Sequence, residues 1–543
     1  PRLENPQKIR KDIKKGIKKK KIVEISNRAK AISYAIKNIK TGEILLIAGK
    51  GHEKTQAIGK RTIYFSDKDF ILKSIKVKNL HLSKDLKINI IKDLSNQKSF
   101  DSKLSLRKGQ INSKDIKKND IFFAIKGKKN DGNKFALEAL KKKASLVVLN
   151  KIQRNFNNKK QIRVKDSLKF LTDCSKIFRD NINTKIIAIT GSCGKTSLKE
   201  LLGNSLKKIS KVNMSPKSYN NKFGVPLSLF NLNQSDDYGI LEIGMDKKGE
   251  IDYLSKIINP DVSVITNINY AHAKNFKNIK QIALAKSEVI NNTRPSGVII
   301  LNSDDKFFYF LKKLALKRKL KVISFGINNK IADIKKIDIR KVGKKFRLKI
   351  KINNLVRSFI FYNDFQNNIY NILASLAVMS IYLDISKLNK NIFMNFKTPE
   401  GRGDISKLNV NKKKINLIDE SYNSNPLSLR SAILNFDKID AKKSKKYLLL
   451  GDMLELGNHA KKLHELVAPI INKTKINKVF VKGSKATIIF NKLTEFKKGK
   501  ILTSQSQIIK LIKEELNTND YLMIKASNAT GLNKVVKKLK DAN

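Results

Sequence analysis

The sequence predicts an α/β protein built on parallel sheets, and three observations predict it. Short β-branched apolar runs alternate with helical stretches over residues 184–543, the pattern of buried parallel strands joined by crossover helices. One run, residues 186–189, passes directly into a glycine-containing loop and then a helical pattern. Polar residues gather at the C-terminal ends of the runs, the edge where open α/β sheets bind ligands.

Residues 1–80 read as a partial α/β unit, with helices over 9–17 and 29–39, a strand over 43–48 and a loop at Gly49-Lys-Gly-His-Glu53. A lysine-rich connector covers 73–85. The second unit, 84–183, has a strand within Asp120-Ile-Phe-Phe-Ala-Ile-Lys-Gly127 and a turn at Asn130-Asp-Gly-Asn133. A helix over 135–143 and a strand over 145–149 follow. The third unit, 184–397, places strands at 186–189, 238–242, 262–266 and 297–301. The fourth, 398–543, places them at 415–418, 446–450, 478–481 and 521–524. Strands are read from β-branched and aromatic runs bounded by polar residues, helices from apolar residues three and four apart. No internal repeat is visible.

The segment Lys185-Ile-Ile-Ala-Ile-Thr-Gly-Ser-Cys-Gly-Lys-Thr-Ser-Leu-Lys-Glu200 carries the chemistry. Gly191 and Gly194 let backbone wrap an anion. The helix start aims N–H groups and the positive dipole end at it, and Lys195 neutralises outer phosphates. Thr196 stands where a Mg²⁺ ligand belongs. The strict Gly-x-x-x-x-Gly-Lys-Ser/Thr pattern is not met, because Ile189 occupies the first glycine position. An ordinary strand–helix turn is the bland alternative. The apolar strand before the loop and the helix after it favour a nucleoside-triphosphate site.

The chain has 543 residues and is 41% hydrophobic, enough for several folded domains. Its formal net charge is +68, from 114 Lys+Arg against 46 Asp+Glu. Such an excess can serve nucleic acid or an anionic membrane. Here lysine is spread along the whole length, with no basic tail or aromatic-studded patch, so no specific nucleic-acid partner is expected. No apolar run approaches the roughly 20 residues that span a bilayer, and no membrane insertion is expected. Two cysteines give no disulfide framework and point to the cytoplasm. Cys174 reads as core on an amphipathic helix and Cys193 as a small loop residue. The chain starts at Pro1, which reads as a fragment or a processed piece.

Beyond the loop, Glu242 ends one strand ahead of Gly244 and Gly249. Thr266-Asn267 ends the next, with His272 close behind. Asn302 with Asp304-Asp305 ends a third, and Asp419 ends a fourth. Singly these read as solvated caps or surface residues. Together, at one sheet edge beside a phosphate loop, they point to a Mg²⁺–nucleotide site.

These segments resemble the Mur ligases of peptidoglycan synthesis, and within that family the branch that adds D-alanyl-D-alanine to UDP-N-acetylmuramoyl-tripeptide. Thr190-Gly-Ser-Cys-Gly-Lys-Thr-Ser197 resembles the family's ATP loop, and Asn220-Asn-Lys-Phe-Gly-Val-Pro226 its Asn-rich segment. Glu242-Ile-Gly-Met, Thr266-Asn-Ile and Ala271-His272 resemble its metal-binding strands. Ala285-Lys286-Ser-Glu288 and Glu400-Gly-Arg402 match its central lysine and the arginine entering its last domain. Asp419-Glu-Ser-Tyr-Asn-Ser-Asn-Pro426 and Leu450-Gly-Asp-Met-Leu-Glu-Leu-Gly457 are similar to signatures of that branch. The match runs in order from about residue 86 to the end.

The resemblance implies a UDP-substrate domain (84–183), a central ATPase domain (184–397) and a C-terminal Rossmann-like domain (398–543). It implies a monomer that uses ATP and Mg²⁺, with UDP-MurNAc-tripeptide and D-Ala-D-Ala as substrates. A carboxylate would attack the γ-phosphate of ATP, and the dipeptide amine would attack the resulting acyl phosphate. By match, Gly191, Ser192, Cys193, Gly194, Lys195, Thr196 and Ser197 would hold phosphates, with Asn302 and Asp419 at adenine and ribose. Thr196, Glu242 and His272 would hold Mg²⁺. Lys195, Lys286, Arg402 and His272 would serve catalysis, Lys286 as a carbamate. Ser113, Asn220, Asn221, Tyr422 and Asn423 would meet substrate.

Departures fall mainly on the substrate side. The family's Asp-Ser-Arg reads Asn112-Ser113-Lys114, its Gly-x-His-Asn helix start reads Phe365-Gln-Asn367-Asn368, and its late arginine is Asn528. Lysine or asparagine cannot replace the arginine fork in kind. Two other readings follow: a degenerate ligase scaffold, or a nucleotide-dependent nucleic-acid-binding protein. The first unit resembles the tail of the Mur ligase that adds the third amino acid, through Pro1-Arg2, Glu4-Asn-Pro6, Gly49-Lys-Gly-His-Glu53 and Phe65-Ser-Asp67. Its arginine implies meso-diaminopimelate at position three. The unit reads as a truncated fusion or a vestige.

Overall fold

The N-terminal eighty residues hold more helix than their sequence announces. The computed structural model describes the chain except residues 1–5, 18–21, 41–42, 50–52, 59–60, 97–103, 105, 128–129, 154–157, 363–364, 395, 397, 442 and 542–543. Helices Pro6–Lys15 and Arg28–Asn38 precede a hairpin of β1 (Thr55–Ile58) and β2 (Arg61–Tyr64). The expected connector at 73–85 is instead the middle of a 29-residue helix, Asp67–Ser95. Ser66 caps it through the Asp69 N–H, and Asp67 and Asp69 stand in its first turn. Lysine is a good helix former, so a lysine run is no helix breaker. The expected strand at 43–48 does not form. Ile44 is 97% and Leu46 86% exposed; a strand needs a neighbour for its backbone groups, and the hairpin does not pair with it. The Pro1 to Asn5 part of the motif and residues 50–52 lie outside the described residues.

Residues 1–170, with 180–184 and 233–236, make one of two compact units. Its parallel sheet runs β3 (Gly109–Gln110), β4 (Ile121–Phe123), β5 (Leu146–Leu149), β6 (Gln161–Arg163) in that order. Phe122, Val147 and Leu149 pack with Ala136 and Ala139 in its core.

The second unit holds two sheets. The first comprises β7 (Lys185–Thr190), β8 (Val212–Met214), β9 (Tyr238–Glu242), β10 (Val262–Ile265), β11 (Val298–Asn302), β12 (Lys321–Gly326), β13 (Ile334–Val342), β14 (Lys345–Ile352) and β15 (Leu355–Phe361). The order is β15-β14-β13-β12-β11-β10-β7-β9-β8. Strands β7 to β13 pair in parallel, while β13–β14 and β14–β15 are antiparallel. That antiparallel meander was not read from sequence, although its Lys/Ile alternation is a strand pattern. Strand β7 is buried except at Lys185, and β9 lies on one side of it and β10 on the other. The order reverses there, so the loop after β7 sits at the switch point where such sheets bind ligands.

The second sheet runs β16 (Asp404–Val410), β17 (Lys413–Glu420), β21 (Tyr521–Lys525), β18 (Lys446–Gly451), β19 (Lys478–Lys482), β20 (Lys498–Ile501). Only β16–β17 is antiparallel. Leu417, Leu449, Leu522 and Ile524 form its core with Val535 and Val536 of the last helix. Among the described residues no helix is long and apolar enough to cross a membrane.

One buried ion pair anchors the start of β7. Arg179, 1% exposed, donates to Ile258 O at 2.8 Å and Asn259 O at 2.9 Å, and meets Asp261 Oδ2 at 2.8 Å. The same carboxylate oxygen accepts from the Ile186 N–H at 2.7 Å. Asp261→Ala would remove the carboxylate that meets the buried guanidinium and the Ile186 N–H. A loss of about 3–5 kcal/mol is expected, read as a lower urea midpoint with an unchanged slope.

Candidate functional site

A cavity of about 790 Å³ opens where the C-terminal ends of both sheets in the second unit meet. Ser192 to Ser197, Glu242, Thr266 to Asn269 and Asn302 line it from the first sheet. Ile418, Glu420, Met523 and Lys525 line it from the second.

The phosphate loop is fixed by the segment after β10. Thr266 Oγ1 donates to Cys193 O at 2.6 Å, and Asn267 Oδ1 accepts from the Cys193 N–H at 3.0 Å. Ser192 Oγ donates to Asn269 O at 2.7 Å and accepts from its N–H at 2.8 Å. Gly191 has φ 141°, and a Cβ there would lie 1.9 Å from Thr266 Oγ1. Gly194, at φ 82°, precedes the helix Lys195–Leu206. The loop is thus preformed, with its helix N-terminus facing the cavity.

Lys195 Nζ and Lys286 Nζ both donate to Gly191 O, at 2.8 and 3.1 Å. Enclosure in protein pushes the Lys195 ammonium below the ordinary lysine range. Burial first, and then repulsion from Lys195, hold Lys286 well below it. Lys286 is 1% exposed and lies under the loop, not on the cavity wall. Cys193 meets Asn425 Oδ1 at 3.0 Å, and burial raises its thiol, so it is a packed loop residue without thiolate character.

Glu242, 1% exposed, accepts from Thr196 Oγ1 and from Asn220 Nδ2, each at 2.7 Å. A hydroxyl and a carboxylate at the phosphate end of the cavity are hard oxygen donors and fit Mg²⁺. Among the described residues no cluster of three or more His, Cys, Asp or Glu could hold a metal alone. Mg²⁺ takes one or two carboxylates and leaves its other positions to phosphate and water. His272 lines the same cavity, with Nδ1 2.6 Å from Glu455 Oε2.

Across the cavity the Arg402 guanidinium stacks over the Tyr422 ring at 4.3 Å. Tyr422 OH donates to Ser218 Oγ at 2.8 Å, and Ser218 Oγ also lies 3.5 Å from Arg402 NH2 and from Thr196 Oγ1. Lys525, 1% exposed, donates to Glu420 Oε2 at 3.1 Å and to Asn423 O at 3.0 Å. Sequence reasoning did not assign Ser218, Glu420 or Lys525 to the site. The first lies two residues before Asn220, and Glu420 stands beside Asp419, so each was within reach of a motif.

Three further expected site residues lie off the cavity wall. Asp419 is absent from the cavity wall, which Ile418 and Glu420 reach. Its oxygens accept from Ser421 and from Lys540 Nζ at 2.9 Å. Side chains alternate along a strand, so its neighbours take the cavity face and Asp419 the other. Asn221 also leaves the wall; its Oδ1 accepts from the Phe223 and Gly224 N–H groups and caps the helix Gly224–Phe230. Ser113 belongs to the first unit, where its hydroxyl is committed to Glu138 Oε2 at 2.8 Å. Asn302 keeps its place on the wall, donating to Thr266 O at 3.2 Å, and Asn423 and Ser197 line it too.

With this geometry in view, residues 189–379 match the Mur ligase middle domain and residues 407–528 the Mur ligase glutamate ligase domain. A UDP-N-acetylmuramoyl-tripeptide--D-alanyl-D-alanine ligase from Rickettsia prowazekii is 31% identical, over 79% of this chain and 94% of its own length. The Bacillus subtilis enzyme of that name is 28% identical, over 78% and 91%. The MurF ligase of Thermotoga maritima, solved in complex with ADP, superposes with a TM-score of 0.67 at 25% identity, covering 80% of this chain and 99% of that one. A MurF structure from Acinetobacter baumannii has the same fold, with a TM-score of 0.71 at 23% identity over 83% and 98%.

Proposed function

The chain belongs to the Mur ligase family, and from that membership and the cavity we propose that it is an ATP-dependent ligase joining D-alanyl-D-alanine to UDP-N-acetylmuramoyl-tripeptide. The single observation that carries the reading is the convergence of Lys195, the Thr196–Glu242 pair and Arg402 on one cavity at a sheet switch point. Those are the groups an acyl-phosphate route needs: cations and amides for a triphosphate, and hard oxygen donors for its metal.

The tripeptide carboxylate attacks the γ-phosphorus of ATP; the new C–O–P linkage forms as the bond to ADP breaks. The dipeptide amine then attacks the acyl carbon, the C–N bond forms, and inorganic phosphate leaves with the amine losing a proton. Lys195 and the loop N–H groups hold the outer phosphates, and Arg402 reaches across the cavity towards them. Thr196 and Glu242 would hold Mg²⁺, with His272 on the wall of the same cavity; when bound, the ion offsets charge on the transferred phosphoryl group. Tyr422, Asn423 and Glu420 surround the space for the dipeptide. Lys286, whose basicity burial and then Lys195 lower, would be the lysine that carries a carbamate. The protein positions reactants and neutralises charge and does little covalent chemistry itself.

The test is phosphate release from ATP with Mg²⁺ and UDP-MurNAc-tripeptide, with and without D-Ala-D-Ala. Release that needs both substrates supports the ligase. Indifference to both, with ATP still bound, would leave a degenerate scaffold or a nucleic-acid-binding protein. Running diaminopimelate- and lysine-containing tripeptides side by side tests the third-residue reading. A finer test is Tyr422→Phe. Losing the bond to Ser218 is expected to raise KM for D-Ala-D-Ala about 2- to 10-fold and leave KM for ATP unchanged. Equal shifts in both would assign Tyr422 to general packing.

A further inference from the structure

Lys199 is a fully buried lysine that the proposed chemistry does not use, and it stands one turn beyond Lys195 on the helix after the phosphate loop. From its contacts we infer that Lys199 is a positioning residue for the dipeptide side of the cavity: its ammonium holds the turn that carries Ser218 to Tyr422. The inference rests on the ligase reading of that cavity and on the place of Tyr422 in it.

The ammonium is committed to main chain. Nζ donates to Ser215 O at 2.5 Å and to Lys217 O, and Glu200 Oε1 lies 3.2 Å from it. Bonds from an ionised donor are stronger than neutral ones, and the carboxylate offsets the buried charge. Residues four apart share a helix face. One face of this helix thus grips the phosphate loop through Lys195, at Gly191 O, and the turn through Lys199.

The turn needs that hold. It follows β8, the edge strand of its sheet. Ser215 is the last residue tied to β9: its N–H donates to Ile240 O at 3.0 Å, and its Oγ accepts from the Glu242 N–H at 3.2 Å. Lys217 then takes left-handed backbone, with φ 47°, which is uncommon for a residue with a side chain. Two site side chains come next. Ser218 Oγ accepts from Tyr422 OH at 2.8 Å, and Asn220 Nδ2 donates to Glu242 Oε1 at 2.7 Å. A serine hydroxyl has little reach of its own, so the main chain of the turn decides where it stands. Ser218 and Asn220 line the cavity and Lys199 does not, so Lys199 acts through the turn.

The experiment measures phosphate release by the full chain, with KM for D-Ala-D-Ala and for ATP, in the wild type, Lys199→Met, Ser218→Ala and the double variant. ADP affinity is read beside it by calorimetry. Methionine keeps an unbranched apolar stem and removes the ammonium. Each single variant is expected to raise KM for D-Ala-D-Ala about 2- to 10-fold, the loss of one hydrogen bond. The double variant should rise no further, because a displaced turn has already taken the hydroxyl from Tyr422. KM for ATP and ADP affinity should stay as in the wild type, since the phosphate loop keeps its bonds to Thr266, Asn267 and Asn269. Hydrogen exchange over residues 215–220, read without substrate, should quicken in Lys199→Met and not in Ser218→Ala. If Lys199→Met does not fold, Lys199→Gln, too short to hold both carbonyls, is read in its place with the same expectations. An unchanged KM for D-Ala-D-Ala in either single variant would overturn the inference, as would equal rises in both KM values, additive effects in the double variant, or unchanged exchange in Lys199→Met. Failure of the ligase reading would appear separately, as wild-type phosphate release indifferent to tripeptide and dipeptide.

Discussion

Lys195→Ala is expected to cut substrate-dependent phosphate release by about 10²- to 10³-fold or more, the effect of removing one preorganised group from a developing oxyanion. Nζ is held at Gly191 O, 2.8 Å away, at the mouth of a loop that is itself fixed by Thr266, Asn267 and Asn269. The cation is in place before the nucleotide arrives, and its partial enclosure strengthens its field on the phosphates. Its lowered basicity has the same cause: an ammonium near Arg402 and away from bulk water gains most when an anion joins it. Stability should change little, because Lys195 is half-buried at the wall and its removal leaves Gly191 O with Lys286 as donor. Steady-state kinetics with a thermal melt checks this. An active Lys195→Ala variant would move the phosphate site elsewhere.

Gly191→Ala is expected to damage fold and site together. At φ 141° the backbone is open to glycine alone, and the added Cβ would lie 1.9 Å from Thr266 Oγ1 and 3.0 Å from Thr266 N. Neither neighbour can yield cheaply. Thr266 Oγ1 holds Cys193 O, and Thr266 N donates to Thr190 O at 3.0 Å. A cost of about 3 kcal/mol or more is expected from strain and overpacking, with ADP binding lost because Gly191 O also anchors Lys195 and Lys286. A urea titration and an ADP titration check both halves. Near-wild-type values in each would show that the loop relaxes freely.

The phosphate loop was legible because its information is local: a buried strand, two glycines, a lysine and a helix within one stretch. The strands at 238–242, 262–265 and 298–302 were legible for the same reason, and with them Glu242 and Asn302. Asp419 stands at a strand end as its context suggests, and its side chain points away from the cavity wall. Its face is set by pairing with Asp404 and Ile524, and one step along a strand reverses the side. Asn221 sits in the right motif, but the helix after it needed a cap and took its side chain. Residues 43–48 have strand composition and no strand beside them, and composition cannot supply a neighbour.

By itself the sequence determined the α/β class, most of the parallel strands of the two larger sheets, the phosphate loop and the family to which they point. These depend on local propensity and on residues close in the chain. Tertiary structure decided which polar side chains share a cavity. It brought Ser218 to Tyr422 and Arg402, Lys525 to Glu420, and Glu455 to His272, residues roughly one hundred to two hundred positions apart. Such meetings follow from the register of two sheets and the closure of loops between them, and no short-range pattern encodes them.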